Sequence, residues 1–203
     1  MKGTRNLFLL IILGLVLILG VWSCGGYNGL VKQDEKVKNM WNNVQSTYQR
    51  RADLIPNLVN VVRSEATFEQ QTLIQTVEAR YKNLSSIKVD PSNLTTENIQ
   101  KFQAAQGELS GALQKLMVVV ENYPNLKSNE GFRNLQTQLE GTENRINTAR
   151  NDFNGAINTY NTKARSFPVN LIAGMFGFKV KEGFKADEGT QNAPKVPENI
   201  MNK

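Results

Sequence analysis

Three glutamates, Glu78, Glu121 and Glu143, stand out in a sequence that otherwise offers few groups able to do chemistry. Inward-facing carboxylates on adjacent helices can hold a cation in a helical bundle. Arg80, Arg145 and Arg150 give the same carboxylates another use, as ion pairs that fix the register of neighbouring helices. Bundle metal sites add Glu-x-x-His pairs to their glutamates, and this chain has no histidine. Pairing is therefore the preferred reading. Arg50, Arg51, Asp53 and Asn57 complete the polar set expected to serve structural pairing or interaction.

The missing residue types narrow the chemistry further. Without histidine there is no Ser-His-Asp or Cys-His arrangement and no HExxH zinc motif. Cys24 is the single cysteine, which rules out a thiolate zinc cluster or a disulfide within one chain. No phosphate-cradling glycine loop follows a strand-like run. The expectation is a protein that is not an enzyme, with no catalytic, cofactor-binding or metal-binding residues and no cofactor.

The elements that must position these residues begin with an apolar run. No charged residue lies between Arg5 and Lys32. As a helix, residues 7–26 would rise about 30 Å, the thickness of a bilayer's hydrocarbon core. The run is read as an anchor over residues 1–26, making a single-pass membrane protein with the lipid bilayer as its first partner. Three fates compete for it: a retained helix, lipidation at Cys24, and removal as a signal. Bulky Trp22 suits cleavage poorly, whereas Trp22 and Tyr27 suit a water–lipid interface. The short basic tail, Lys2 and Arg5, favours a cytoplasmic N-terminus with the remaining chain extracytoplasmic (periplasmic), in a cell membrane.

All 18 acidic residues, and all but Lys2 and Arg5 of the 24 basic ones, follow that run, leaving a mild net charge of +4 there. The basic residues are dispersed among acidic ones, so no nucleic-acid footprint is expected. Weak attraction to anionic lipid is the more natural use of this charge.

Apolar residues then recur in steps of three and four through four segments. Leu30, Val37, Trp41, Val44 and Tyr48 form the first stripe, so Trp41 and Tyr48 are expected in the core. Leu58, Val62, Ala66, Leu73 and Val77 form the second. Phe102, Leu109, Ala112 and Leu116 belong to the third; Phe132, Leu139, Ile146, Phe153 and Tyr160 to the fourth. The expected fold is all-α, a transmembrane helix followed by an antiparallel up-and-down four-helix bundle over residues 27–166. Its long helices fall at about 28–52, 57–84, 96–122 and 129–165. Pro56 is taken as the first break, with Asp53 as the next N-cap. A kinked helix running through Pro56 is the rival, but it would span about 57 residues, ~85 Å, against ~38 Å for the third segment. Matched lengths favour the hairpin.

Several strings now carry a resemblance. Trp41-Asn42-Asn43-Val44, Gln49-Arg50-Arg51-Ala52-Asp53-Leu54-Ile55-Pro56-Asn57-Leu58-Val59, Tyr123-Pro124-Asn125-Leu126-Lys127 and Thr142-Glu143-Asn144-Arg145-Ile146 closely resemble the bacterial LemA family. Phe167-Pro168-Val169-Asn170-Leu171-Ile172-Ala173 does so as well. The similarity extends over about residues 8–185, and the Arg50–Val59 block is its most specific part. It implies an N-terminal membrane helix and an antiparallel helical domain. It implies no mechanism, because the family's biochemical role is not established.

Residues 167–188 are strongly apolar for a connection, with Lys179, Lys181 and Lys185 at their end. In an up-down-up-down bundle that starts at the membrane, the fourth helix ends there too. Phe167, Met175, Phe176 and Phe178 then pack beneath the bundle, lie in the lipid interface or meet another copy. Residues 189–203 lack periodicity and are read as a disordered tail. The whole points to a scaffold or interaction protein of the bacterial envelope. A homo-oligomer is expected from the length of the fourth segment, and an adaptor for an integral membrane enzyme, such as a protease or transporter, is the alternative.

Overall fold

The computed structural model describes residues 2–64, 68–85, 87, 89–91 and 94–185. Side chains are described throughout except at 2–9, 15, 16, 18, 19, 21, 22, 68–70 and 85. All regular structure among the described residues is α-helix: α1 (Lys2–Ser64), α2 (Phe68–Ser85), α3 (Thr96–Val120), α4 (Pro124–Ser128), α5 (Glu130–Arg165) and α6 (Val169–Phe176).

Helix α1 is one unbroken element of 63 residues, about 94 Å long at 1.5 Å per residue. It enters at the apolar run and continues through the first apolar stripe, whose Leu30, Val37, Trp41 and Val44 are fully buried. Over the described residues, no helix is long and apolar enough to cross a membrane. The large apolar side chains that are described within the run, Leu10, Ile11, Ile12, Leu13 and Leu17, are all exposed.

Pro56 does not break the chain; it sits inside α1. This corrects the expected hairpin and the expected cap, since Asp53 is an exposed mid-helix residue that accepts a hydrogen bond from Gln49 Nε2. Packing explains the outcome. Ile55, Leu58, Val59 and Val62 are all buried within one cluster, and each is worth about 1.5–3 kcal/mol. Together they outweigh the ~3 kcal/mol cost of an internal proline. Pro56 faces solvent, so the Ala52 carbonyl that loses its N–H donor lies on the proline side of the rod. The second stripe is shared between two helices, Leu58 and Val62 on α1 and Leu73 and Val77 on α2. Ala66 lies outside the described residues.

Helix α2 is short, 18 residues, and turns back along the upper part of α1. The connection after it descends further. Val89 is buried, and its carbonyl accepts from Trp41 Nε1 at 3.4 Å and Gln45 Nε2 at 2.8 Å. Helix α2 ends at Ser85, and the described part of the connection after it is irregular and pinned to α1 at Val89. Thr95 caps α3 by accepting from the Asn98 N–H. Asn129 caps α5 by accepting from the Phe132 N–H. Helix α5 descends along α1, so the surplus length expected to pair outside the bundle is taken up by α1 itself.

Two core clusters follow. The upper one joins α1, α2, α3, α4 and α5. The lower one centres on Trp41, with Phe102 at 5.3 Å, Phe153 at 5.2 Å and Phe184 stacked at 5.9 Å. Helix α6 ends at Gly177, whose left-handed φ of 74° carries little penalty only for glycine. The chain then rises along α5 as an extended strap to residue 185. The expected tail, residues 189–203, lies outside the described residues.

Candidate functional site

The polar residues singled out by sequence divide sharply by burial. Arg51 alone is enclosed, at 3% exposure. Its Nη1 donates to Ser110 Oγ at 2.7 Å and to Glu143 Oε2 at 3.0 Å. Its Nη2 donates to the Gln106 side-chain oxygen and, at 3.4 Å, to the Gln106 carbonyl. The Tyr48 ring lies 5.0 Å beneath the guanidinium. One arginine therefore ties α1 to α3 and α5, at the level where the two cores meet. Its Nε is buried without a hydrogen-bond partner.

Glu78 and Glu143 pair, but not with the expected arginines. Glu78 meets Arg63 at 2.7 Å, Arg80 meets Glu108 at 2.6 Å, and Glu143 meets Arg51. Glu121 is exposed at the C-terminal cap of α3. Glu78, Glu121 and Glu143 do not converge, and among the described residues no group of three Asp, Glu or Cys side chains could hold a metal ion. Arg50, Asp53 and Arg145 border one open surface groove; Asn57 is exposed. Exposed pairs of this kind contribute only about 0–1 kcal/mol each.

A cleft between α1, α2 and α3 has a volume of about 220 Å³ and is lined by Gln45, Tyr48, Tyr81 and Gln106 among others. That is below the ~300–1,000 Å³ of small-molecule sites. Its lining holds two phenols, Tyr48 and Tyr81, and no carboxylate, amine, thiol or aliphatic hydroxyl.

The strap is held by a device that sequence reasoning missed. Asn161 Nδ2 donates to the Lys181 carbonyl at 2.8 Å, and its Oδ1 accepts from the Lys181 N–H at 2.9 Å. Asn154 repeats the pattern on Phe184, at 3.1 and 2.9 Å. A Cβ on Gly183 would overlap Asn154 Oδ1, so the close approach requires glycine there. Tyr160 Oη donates to the Lys179 carbonyl, and Arg150 lies 4.8 Å over the Phe184 ring. Lys181 also pairs with Asp34 at 3.0 Å. Burial pushes the Asp34 carboxyl up, but Lys181 and Lys38 outweigh it and hold the pKa below the ordinary value. Burial, with Asp34 nearby, pushes the Tyr160 phenol up.

At the lower end of the bundle Ile172 of α6 packs on Gly26. Tyr27 meets Phe176 and Phe178 edge-on, at 4.9 and 5.7 Å. Of the membrane-facing candidates, Tyr27 is 37% exposed, Phe176 60%, and Phe167 and Met175 80% each. Phe178 is half-buried. Cys24 is a free, exposed thiol. The Trp22 side chain lies outside the described residues.

A profile of the LemA family matches residues 40–197. The chain is similar to magnetosome protein MamQ 2 of Paramagnetospirillum magneticum, at 30% identity over 78% of this chain and 64% of the relative. Magnetosome protein MamQ of Magnetospirillum gryphiswaldense is 28% identical, with the same two shares. Protein LemA of Metamycoplasma hominis is 24% identical over 80% of this chain and 71% of its own. The chain thus spans 64% of the length of the magnetosome relatives it matches. None of these names is that of an enzyme.

Proposed function

The chain belongs to the LemA family, and on that premise we propose that it is a non-enzymatic scaffold or interaction protein. In this reading residues 7–26 hold it in the cell membrane as a single pass, and the bundle stands on the extracytoplasmic side. One observation carries the reading. A single helix, α1, has an uncharged apolar run with exposed Leu10–Leu13 and Leu17 at one end and wholly buried core residues at the other. A domain in water gains nothing by extending such a run away from its core. A bilayer gives that surface a partner. The short basic tail before the run supports the orientation.

What the bundle offers in place of a reaction centre is rigidity. Among the described residues its one enclosed charge, Arg51, is spent on holding α1, α3 and α5 together, and its lower core is closed by its own strap. Its free end is the turn that carries Glu121, beside the end of α1.

Membranes washed with alkaline carbonate should retain the protein, and intact mass should show residues 1–26 still attached. Release into the wash without a lipid adduct overturns the reading. A photocrosslinker at Glu121 should capture a protein at the upper tip. Self-adducts indicate a scaffold of copies, and one dominant foreign membrane enzyme indicates an adaptor.

A further inference from the structure

We propose that α6 is a lipid-interface foot: its outer face, with Leu171 and Met175, and Phe167 in the turn before it lie among the headgroups beside the point where α1 leaves the bilayer. The proposal rests on the anchored reading above and adds a second, peripheral contact with the lipid surface.

Leu171 and Met175 lie one turn apart on α6, exposed by 60% and 80%, and Phe167, in the turn just before the helix, is 80% exposed. Phe176, at 60% exposure, widens this apolar face. The opposite face is already used, because Ile172 and Ala173 are buried in the lower core. A two-turn helix that needed only to close the bundle would turn polar side chains outward. Of the residues that α6 exposes, only Asn170 carries a polar side chain, so the apolar part of its outer face lacks a partner.

Position names the partner. Ile172 sits on Gly26, and Phe176 and Phe178 meet Tyr27, at the last residues of the uncharged run. The exposed face of α6 is therefore continuous with the apolar surface of α1 and at the height of its exit. Aromatic residues favour that level of a bilayer. Charge agrees: between Asp152 and Glu182 the sequence has no acidic residue but contains Lys163, Arg165, Lys179 and Lys181. Arg165 and Lys179, which flank α6, are exposed, where anionic headgroups would meet them. Interfacial helices bury their apolar face about 5–10 Å deep. A second copy is a poorer fit, because a few side chains on two helical turns fall far short of the roughly 1,200 Å² of a stable interface.

The test uses the full chain in lipid nanodiscs containing anionic lipid, on a Cys24→Ser background. Single cysteines at Leu13→Cys, Met175→Cys and Val118→Cys carry an environment-sensitive fluorophore, and lipids brominated on the upper acyl chain act as quenchers. The Met175 label should be quenched at least threefold more than the Val118 label, which sits on α3 near the opposite end. Equal quenching at these two positions, with the Leu13 label still strongly quenched, overturns the foot and leaves the anchor standing. An unquenched Leu13 label overturns both. Pyrene excimers from Met175→Cys without bromolipid quenching assign the face to a second copy and also overturn the proposal.

Discussion

Asn154 and Asn161 do for the strap what a neighbouring strand does for a sheet edge. A side-chain amide offers a donor and an acceptor, as a peptide unit does. Seven helical residues rise about 10.5 Å, and the three extended steps from Lys181 to Phe184 cover about 10 Å. The spacing of the two asparagines therefore fits the strap's repeat. Asn154→Ala leaves the Phe184 N–H and carbonyl without partners, at a cost of about 1–3 kcal/mol. Hydrogen exchange at the Phe184 amide should accelerate well before global unfolding; unchanged protection would sink the ladder. Gly183→Ala should have the same local effect through steric overlap alone. The ion pair below adds a pH dependence. Asp34 has a lowered folded pKa, so its contribution is present above the unfolded value of about 3.9 and is lost as pH falls through the folded one. Tyr160 is shifted up, so its contribution is present below about 10 and lost as pH rises through the folded value. Exchange from the strap should rise at both extremes, and Asp34→Asn should abolish the acid limb only. An acid limb that persists in Asp34→Asn would assign it to another carboxylate.

At the scale of elements, the apolar stripes were legible and the joint at Pro56 was not. Every quoted residue of the first stripe, and Phe132, Leu139, Ile146, Phe153 and Tyr160 of the fourth, is buried, because period and burial are the same information in a long amphipathic helix. Pro56 misled because local chemistry argues for a break, while the cost is met by contacts far away in sequence. The proline should still exert its local penalty. Pro56→Ala restores the donor to the Ala52 carbonyl and should stabilise the protein by about 1–3 kcal/mol, reduced somewhat by the greater freedom of the unfolded chain. A higher urea midpoint with unchanged slope would show it; a lower midpoint would mean that the helix needs the bend. The ion-pair partners were illegible for a related reason. Arg51 finds Gln106, Ser110 and Glu143 across three helices, and nothing local encodes that meeting. Arg51→Ala should cost about 2–4 kcal/mol through lost packing and partners. Arg51→Met should recover much of this, because Glu143, 48% exposed, can return to water. Urea midpoints that fall equally for both would assign the cost to the lost charge. The strap left one faint trace, asparagines at 147, 154 and 161 in a helix where asparagine is a poor former. The partners of Asn154 and Asn161 lie in an irregular segment with no periodicity to read.

For the whole molecule, the decisive fact is that the proposed anchor and the bundle share one helix. No joint separates residue 26 from residue 27, and α6 clasps that stretch from the side. With the run held in the bilayer as proposed, its movement along the membrane normal is transmitted to the proposed foot, and from there up the rod to its tip. A helical insertion tests the coupling. Glu-Ala-Ala-Lys placed between Cys24 and Gly25 adds about 6 Å of helix, and its charged turn is costly to draw into hydrocarbon. The shift is comparable with the depth of an interfacial helix, about 5–10 Å. Bromolipid quenching of a label at Met175→Cys should therefore fall towards that at Val118→Cys, while Leu13→Cys remains quenched. If the foot's quenching is unchanged, the bundle reaches the lipid by bending at the insertion, and α1 does not behave as one rigid lever. Loss of foot contact would instead show that the height of the bundle above the membrane is set by the length of a single helix.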